Sequence, residues 1–381
     1  MWNDLRVIDS HVHYAWPITA DSLTATLAET GANAVCLAAL PGFARLNPTL
    51  DLLVYKHRFP QTTFVLGCLD CTTYGERKNL GASFIKDVKR ILTLGCDGLK
   101  LLEGKPTMRR MYPIPDFDDP VWEPFWAFAE ESQLPILWHV NDPEEFWDAS
   151  RIPSYARTAG WGYGPEDVDN EQQYRQVRNV MERHSLLNVT FAHMFFFSSQ
   201  LIRLAEWLDR FPHMRVDLTP GIELYENLSK TPTETRAFFD RYSSRILYGT
   251  DIGGRAAING NVMKLDEQEC CLRAKYARAF LTEKASVGIR SDGHFLVDRE
   301  PFVLHGLGLP HEMLQQILCN NFLSFIGCQT PWPVDVEGCI RECSHTRKTL
   351  KAYFSSLELE PDLRAVEADK RYFEKVLAAS R

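Results

Sequence analysis

Two histidines spaced two apart behind a short apolar run are a metal-binding signal when further ligands accompany them. The stretch RVIDSHVH, residues 6–13, ends in such a pair, His11 and His13. On a strand, side chains two apart share a face, so both imidazoles can grip one ion. Further on, Lys100 stands in GLKLLEG, His139 in LPILWHV, His193 in NVTFAHM and Asp251 in ILYGTDIG. Three or four imidazoles with a carboxylate suit Zn²⁺, Mn²⁺ or Fe²⁺ rather than Ca²⁺ or Mg²⁺. Taken singly, a histidine at the end of an apolar strand reads as a core residue with a hydrogen-bond partner. It is the joint placement of these residues at successive strand ends that points to chemistry.

The elements that must position them alternate regularly. Apolar or β-branched runs predict strands over 6–13, 33–40, 62–69, 96–104, 134–140, 187–194, 214–220 and 245–253. Helical patterns fall between them, over 19–30, 49–58, 81–95, 120–132, 170–184, 198–210 and 231–241. Eight strand-then-helix units predict an α/β fold, a (β/α)8 TIM barrel, whose strand ends converge on one mouth. The long loops 105–120 and 141–169 follow strands four and five and so belong to that face. The catalytic barrel is expected over 1–327. An insertion at about 255–300 holds a helical pair and a hairpin turning at Asp292-Gly293; the hairpin could fold over the mouth, but its His294, like the other histidines outside the strand ends, reads as having no functional role. Residues 310–327 predict a closing helix. Residues 328–381 are expected as a C-terminal helical extension packed on the barrel, with terminal helices over 345–381.

The five motifs in this order resemble the amidohydrolase superfamily. More narrowly, they resemble its amidohydrolase-related branch, with the aminocarboxymuconate-semialdehyde decarboxylase-like enzymes, over about residues 5–327. LPHEMLQQILCNNFLSFIG resembles that branch's terminal helix, with Asn320 or Asn321 at its Asn position. The resemblance implies that His11, His13, His139 and Asp251 hold one catalytic metal. It implies that His193 acts on substrate or water, or binds a second ion. Lys100 matches a lysine that is carboxylated in two-metal members; an ordinary amine paired with Glu103 is the other reading. The long stretch 255–300 and the aromatic-rich loops (Tyr112, Trp122, Trp147, Trp161, Tyr163) depart from the family pattern.

The expected reaction is metal-dependent hydrolysis of an amide, ester or lactone, with one zinc ion (manganese or iron as alternatives) and Asp251 as ligand and proton acceptor. His193 would polarise the carbonyl. Arg255, Lys100 and Trp147 are substrate-binding candidates, and Arg109 and Arg110 could also pair with a substrate carboxylate. Non-oxidative decarboxylation on the same site is the runner-up, and a non-catalytic binding barrel the third reading.

Composition excludes other classes. The chain has 381 residues, 45% of them hydrophobic and 24% charged, with a net charge of −8. No basic run tracks phosphates, which argues against nucleic acid as a partner. No targeting or membrane-spanning segment is expected. The ten cysteines read as reduced cytosolic thiols, and neither Cys68-x-x-Cys71 nor Cys339-x-x-x-Cys343 has the second ligand pair of a structural zinc site. The expected partner is a small-molecule substrate, for a cytoplasmic homo-oligomer, a dimer.

Overall fold

The computed structural model describes residues 4–42, 45–75, 79–221, 223–259, 262–289 and 301–380. Eight parallel strands follow chain order: β1 Ile8–Val12, β2 Ala34–Ala38, β3 Thr63–Gly67, β4 Gly98–Gly104, β5 Ile136–Val140, β6 Val189–Phe191, β7 Met214–Asp217 and β8 Ile246–Leu247. Almost every strand residue is buried, which is why these strands read as near-continuous apolar runs. The ends of the sheet meet through Ser10 N to Tyr248 O (3.0 Å), Asp251 N to His11 O (2.9 Å) and His13 N to Ile252 O (2.7 Å). The result is the expected (β/α)8 barrel.

Alternation along the strands sorts the interior into two levels. Ile8, Cys36, Phe64, Leu66, Leu137 and Leu247 form a separate inner apolar cluster with Phe322 and Phe325 of the closing helix. That cluster plugs one end. At the other end the same inward faces carry polar groups: His139 follows Leu137 by two residues, and Lys100 lies on β4. On β1 the pairing register shifts between Asp9 and Val12. The shift lets Ile8 join the inner apolar level while His11 and His13 still face the mouth.

The outer helices pack by ordinary amphipathic spacing. Phe84, Val88 and Ile91 are the buried stripe of Leu80–Thr93. Thr19 caps Ala20–Thr30 by accepting from Ser22 N, and Gly31 ends that helix at φ 78°. The closing helix is interrupted by a π turn at Gln316–Asn320. Asn321, not Asn320, is its buried asparagine; its Nδ2 donates to Ser243 O and Ile246 O, each at 2.7 Å.

Several elements differ from expectation. The loop after β4 contains a helix, Pro106–Met111, begun by proline at its first position. The loop after β5 contains a short helix, Ser154–Thr158. The β8 ladder stops at Leu247 rather than running to 253, because Asp251 and Gly253 take positive φ (58° and 82°). At Gly253 a Cβ would lie 2.1 Å from His13 O, so the close approach of the β8 loop to β1 requires glycine. The insertion holds helices Gly254–Asn259 and Glu267–Thr282 and an antiparallel pair, β9 Ser286–Ile289 with β10 Phe302–His305. The predicted Asp292-Gly293 turn and His294 lie outside the described residues. The first terminal helix begins at Val336, earlier than 345, where Asp335 accepts from Gly338 N. It packs with Arg364–Ala379, whose Phe373 reaches the main core. No helix among the described residues is long and apolar enough to cross a membrane. All ten cysteines are unpaired.

Candidate metal centre

His11 and His13 turn their Nε2 atoms toward each other, 3.1 Å apart. Each has its Nδ1 committed elsewhere. His11 Nδ1 lies 2.8 Å from Asp217 Oδ2, and His13 Nδ1 lies 2.6 Å from Ala38 O. Both partners accept, so both Nδ1 atoms carry the proton and both Nε2 atoms present lone pairs. Asp251 Oδ1 is 3.0 Å from His13 Nε2. Among the described residues, His11, His13 and Asp251 are the group whose donor atoms, all within 4.8 Å of one another, can share an ion.

His139 lines the same cavity from β5. Its Nε2 is buried and has no hydrogen-bond partner; Asp142 Oδ1 is 3.4 Å away, in ion-pair reach but not in hydrogen-bonding geometry. Asp142 is thus the one polar side chain that faces this nitrogen at ion-pair distance among the described residues. Burial pushes His139 down to about 3 and, with Lys100 nearby, pushes His11 down to about 3 as well. Both imidazoles are therefore neutral at physiological pH, as ligation requires. Two ordered Nε2 donors and a carboxylate oxygen fit a borderline divalent ion, while His139 stands on the same cavity wall outside that group of three.

Lys100 is fully buried, with Nζ 3.2 Å from His11 Nε2. Burial lowers its amine to about 8. Glu103, its expected partner, bonds Tyr74 instead. His193 sits in a left-handed turn: His193, Met194, Phe195 and Phe196 have φ of 56°, 51°, 59° and 55°. Four such non-glycine residues store strain, roughly 1–3 kcal/mol each. The turn is held by His193 N donating to Asp217 Oδ1 (2.8 Å) and Tyr174 OH donating to Phe195 O (3.0 Å). His193 Nδ1 lies 3.1 Å from Thr219 O, and burial lowers this imidazole too. The proton then belongs on Nδ1, and Nε2 is an acceptor. That tautomer suits ligation or proton acceptance; polarising a carbonyl, the expected role, needs a proton on Nε2, carried by the other tautomer or by the imidazolium.

Asp217 joins these parts. Its Oδ2 takes His11 and its Oδ1 takes the His193 and Thr219 amides. Burial alone would raise its carboxyl, but His11 and these bonds hold it well below the usual range. Asp251 behaves alike: burial is outweighed by the bond to His13 and the charge of Arg273. Asp9, in the first motif, ties β1 to β8 by accepting from Thr250 N (3.1 Å) and Thr250 Oγ1 (2.6 Å).

The cavity encloses about 740 Å³ including its open mouth. Leu40, Leu102, Phe146, Trp161, Phe196 and Ile258 supply much of its apolar wall, and Lys105 and Arg255 reach it. Lys105 is bound to both oxygens of Asp142 at 2.7 Å and lies over the Trp161 ring. Trp147 does not line this cavity. It sits behind Tyr163, its Nε1 donating to Val168 O. Arg109 and Arg110 are committed to Asp116 and Asp167. The sequence reading missed Asp217, Lys105, Asp142 and Arg273. Asp217 had a signal, an acidic residue ending the apolar run of β7; Arg273 had none, being one of several cations in its helix.

By sequence, the chain matches no family model and no curated relative. By structure, it is similar to an uncharacterized TIM-barrel protein from Bordetella bronchiseptica, at 13% identity and TM-score 0.52, over 85% of this chain and 100% of that one. An IDCase from Metarhizium anisopliae in apo form matches at 13% identity and TM-score 0.52, over 86% of this chain and 98% of that one. A 2,6-dihydroxybenzoate decarboxylase from Rhizobium aligns at 10% identity and TM-score 0.48, over 85% and 99%. The first two likenesses concern the fold alone, and that fold is the (β/α)8 barrel described above.

Proposed function

We propose that the chain is a metal-dependent enzyme of the amidohydrolase superfamily, in the branch its motifs resemble, and that it hydrolyses an amide, ester or lactone bond in a small carboxylate-bearing substrate. The observation that carries this reading is the convergence of His11 Nε2, His13 Nε2 and Asp251 Oδ1, with each Nδ1 tied away from the site. His139 completes the ligand set. One zinc ion is the proposed occupant, with manganese or iron as alternatives; when bound, such an ion supplies Lewis-acid polarisation and acidifies a water.

The chain's own groups do the rest. Asp251, held ionised by Arg273 and His13, takes the proton of the attacking water and returns it to the leaving group. His193 Nε2 accepts a hydrogen bond from that water and orients it. Arg255, half exposed at the rim, meets the substrate carboxylate. Decarboxylation is the second reading. It is favoured by the apolar wall of the cavity, since a carboxylate carried into such surroundings loses hydration that carbon dioxide does not need.

The two reactions separate by isotope. With a panel of aryl amides, lactones and carboxylates, the proposal expects ¹⁸O from labelled water in the product acid. Carbon dioxide release without ¹⁸O incorporation would replace hydrolysis with decarboxylation.

A further inference from the structure

We infer that the inserted helix Glu267–Thr282 is part of the metal centre, with Arg273 as the positioning residue that sets the orientation of Asp251. This rests on the metal reading above. The insertion is the part of the chain that departs most from the motif pattern, and the ligand set alone gives it no role. Yet its Arg273 is among the largest fully enclosed side chains of the molecule.

A buried guanidinium is costly unless its donors are met, and here they are met by the mouth itself. Arg273 Nη1 points at Thr250 O (3.3 Å), Pro220 O (3.4 Å) and Asp251 Oδ2 (3.4 Å). Two of these oxygens belong to the β8 loop and one to the β7 loop. The side chain therefore bridges the segments that deliver Asp251 and Thr219. From the other side, Glu269 Oε1 lies 3.2 Å from both Nε and Nη2. Glu269 is one helical turn before Arg273, so the fork is fixed within its own helix before it reaches the barrel.

The consequence falls on Asp251. Its two oxygens are divided: Oδ1 faces His13 Nε2, and Oδ2 faces Arg273. A carboxylate clamped on one oxygen offers the other in a fixed direction. The clamp has something to oppose. A second cavity opens behind Asp251, with Arg255, Asp266, Glu269 and Arg273 among its apolar and polar lining residues. With Arg273 shortened, Asp251 can turn toward that space, and the ligand direction is lost.

The test is metal affinity, read without turnover. Cobalt(II) is titrated into metal-free wild type, Arg273→Gln, Arg273→Lys and Glu269→Gln, following visible absorption, with circular dichroism as the fold check. Arg236→Gln is the control: Arg236 donates to Leu307 O, just past the insertion, and has no bond to Asp251 among those of the described residues. The inference expects Arg273→Gln to weaken cobalt binding about 10- to 100-fold, the usual loss when a group that orients a metal ligand is removed. The cobalt spectrum should change with it. Arg273→Lys should recover part of the affinity, Glu269→Gln should shift it in the same direction by less, and Arg236→Gln should bind as wild type does. A folded Arg273→Gln with wild-type affinity and spectrum overturns the inference while leaving the metal site intact. If Arg273→Gln does not fold, unchanged binding by Glu269→Gln overturns it. Wild type that takes up no cobalt overturns the metal reading itself, and the inference with it.

Discussion

His11 Nδ1 and Asp217 Oδ2 lie 2.8 Å apart, both buried, with the carboxylate on β7 and the imidazole on β1. The contact reaches across β8, which lies between the two strands, and decides which nitrogen of His11 is free for an ion. Asp217→Asn replaces an all-acceptor group by one that must also donate, beside the His193 and Thr219 amides. The expected outcome is a 10- to 100-fold loss of zinc affinity. Stability should fall by roughly 1–3 kcal/mol, the cost of buried donors left unmet. Competitive zinc titration and urea denaturation check the two effects separately.

Asp251→Asn should keep the fold and lose turnover by about 10²- to 10⁴-fold, the range for removing a positioned acid–base group. Wild-type rates in this variant, with any substrate the panel yields, would remove Asp251 from the mechanism.

Lys100 is expected to remain an amine. Its buried Nζ rests 3.2 Å from the His11 nitrogen that an ion would take. Lys100→Met should therefore leave the metal content at about one ion per chain. A wild-type content near two that falls to one in Lys100→Met would instead indicate a carboxylated lysine bridging two ions.

The metal-free protein should lose stability as pH falls below about 6.5. His11 and His139 have folded pKa values of about 3, against roughly 6.5 in the unfolded chain. Between those limits the unfolded state binds more protons, so stability is complete above the upper limit and drains toward the lower one. Each imidazole contributes a slope of about 1.4 kcal/mol per pH unit within that window. His139→Asn should flatten the curve by one proton. Identical curves for the two proteins, from urea melts at stepped pH with chelator, would contradict the burial of His139 as an uncharged group.

The rings of Trp126, Trp138 and Phe191 stack at 4.9 and 5.5 Å, and Phe191 stacks on Phe195 at 4.0 Å. The column runs from the helix Glu123–Glu131 through β5 and β6 to the strained turn that carries His193. Trp126→Ala should cost about 3–5 kcal/mol of stability as a large cavity opens. Trp126 lies outside the ligand set, so zinc affinity of the folded variant should change little.

Much of the frame was legible because the strands are buried on both sides. Runs such as ILWHV leave few alternatives to a parallel sheet with crossovers. His11, His13, His139, His193 and Asp251 could be singled out because a polar residue at the end of an apolar strand stands out by type and spacing. The partners were harder to see. Asp217 is legible in hindsight by the same rule. Arg273 is not, because it reaches Asp251 from a helix more than twenty residues later, and nothing local marks it among the cations of CLRAKYARAF. Trp147 illustrates the reverse limit: an aromatic loop suggests a substrate wall, but Phe146 and Trp161 point inward while Trp147 packs behind Tyr163. Which side of a loop faces the cavity is settled by tertiary packing, not by composition.

The most direct test of the metal centre is the metal content of protein purified without chelator, measured by mass spectrometry for wild type and His13→Ala. The expected result is about one transition-metal ion per chain in wild type, as a three-histidine site with an open position implies, and close to none in the variant. Wild type that stays metal-free after equilibrium dialysis against zinc, manganese and ferrous iron, or a variant that binds as much as wild type, would contradict it.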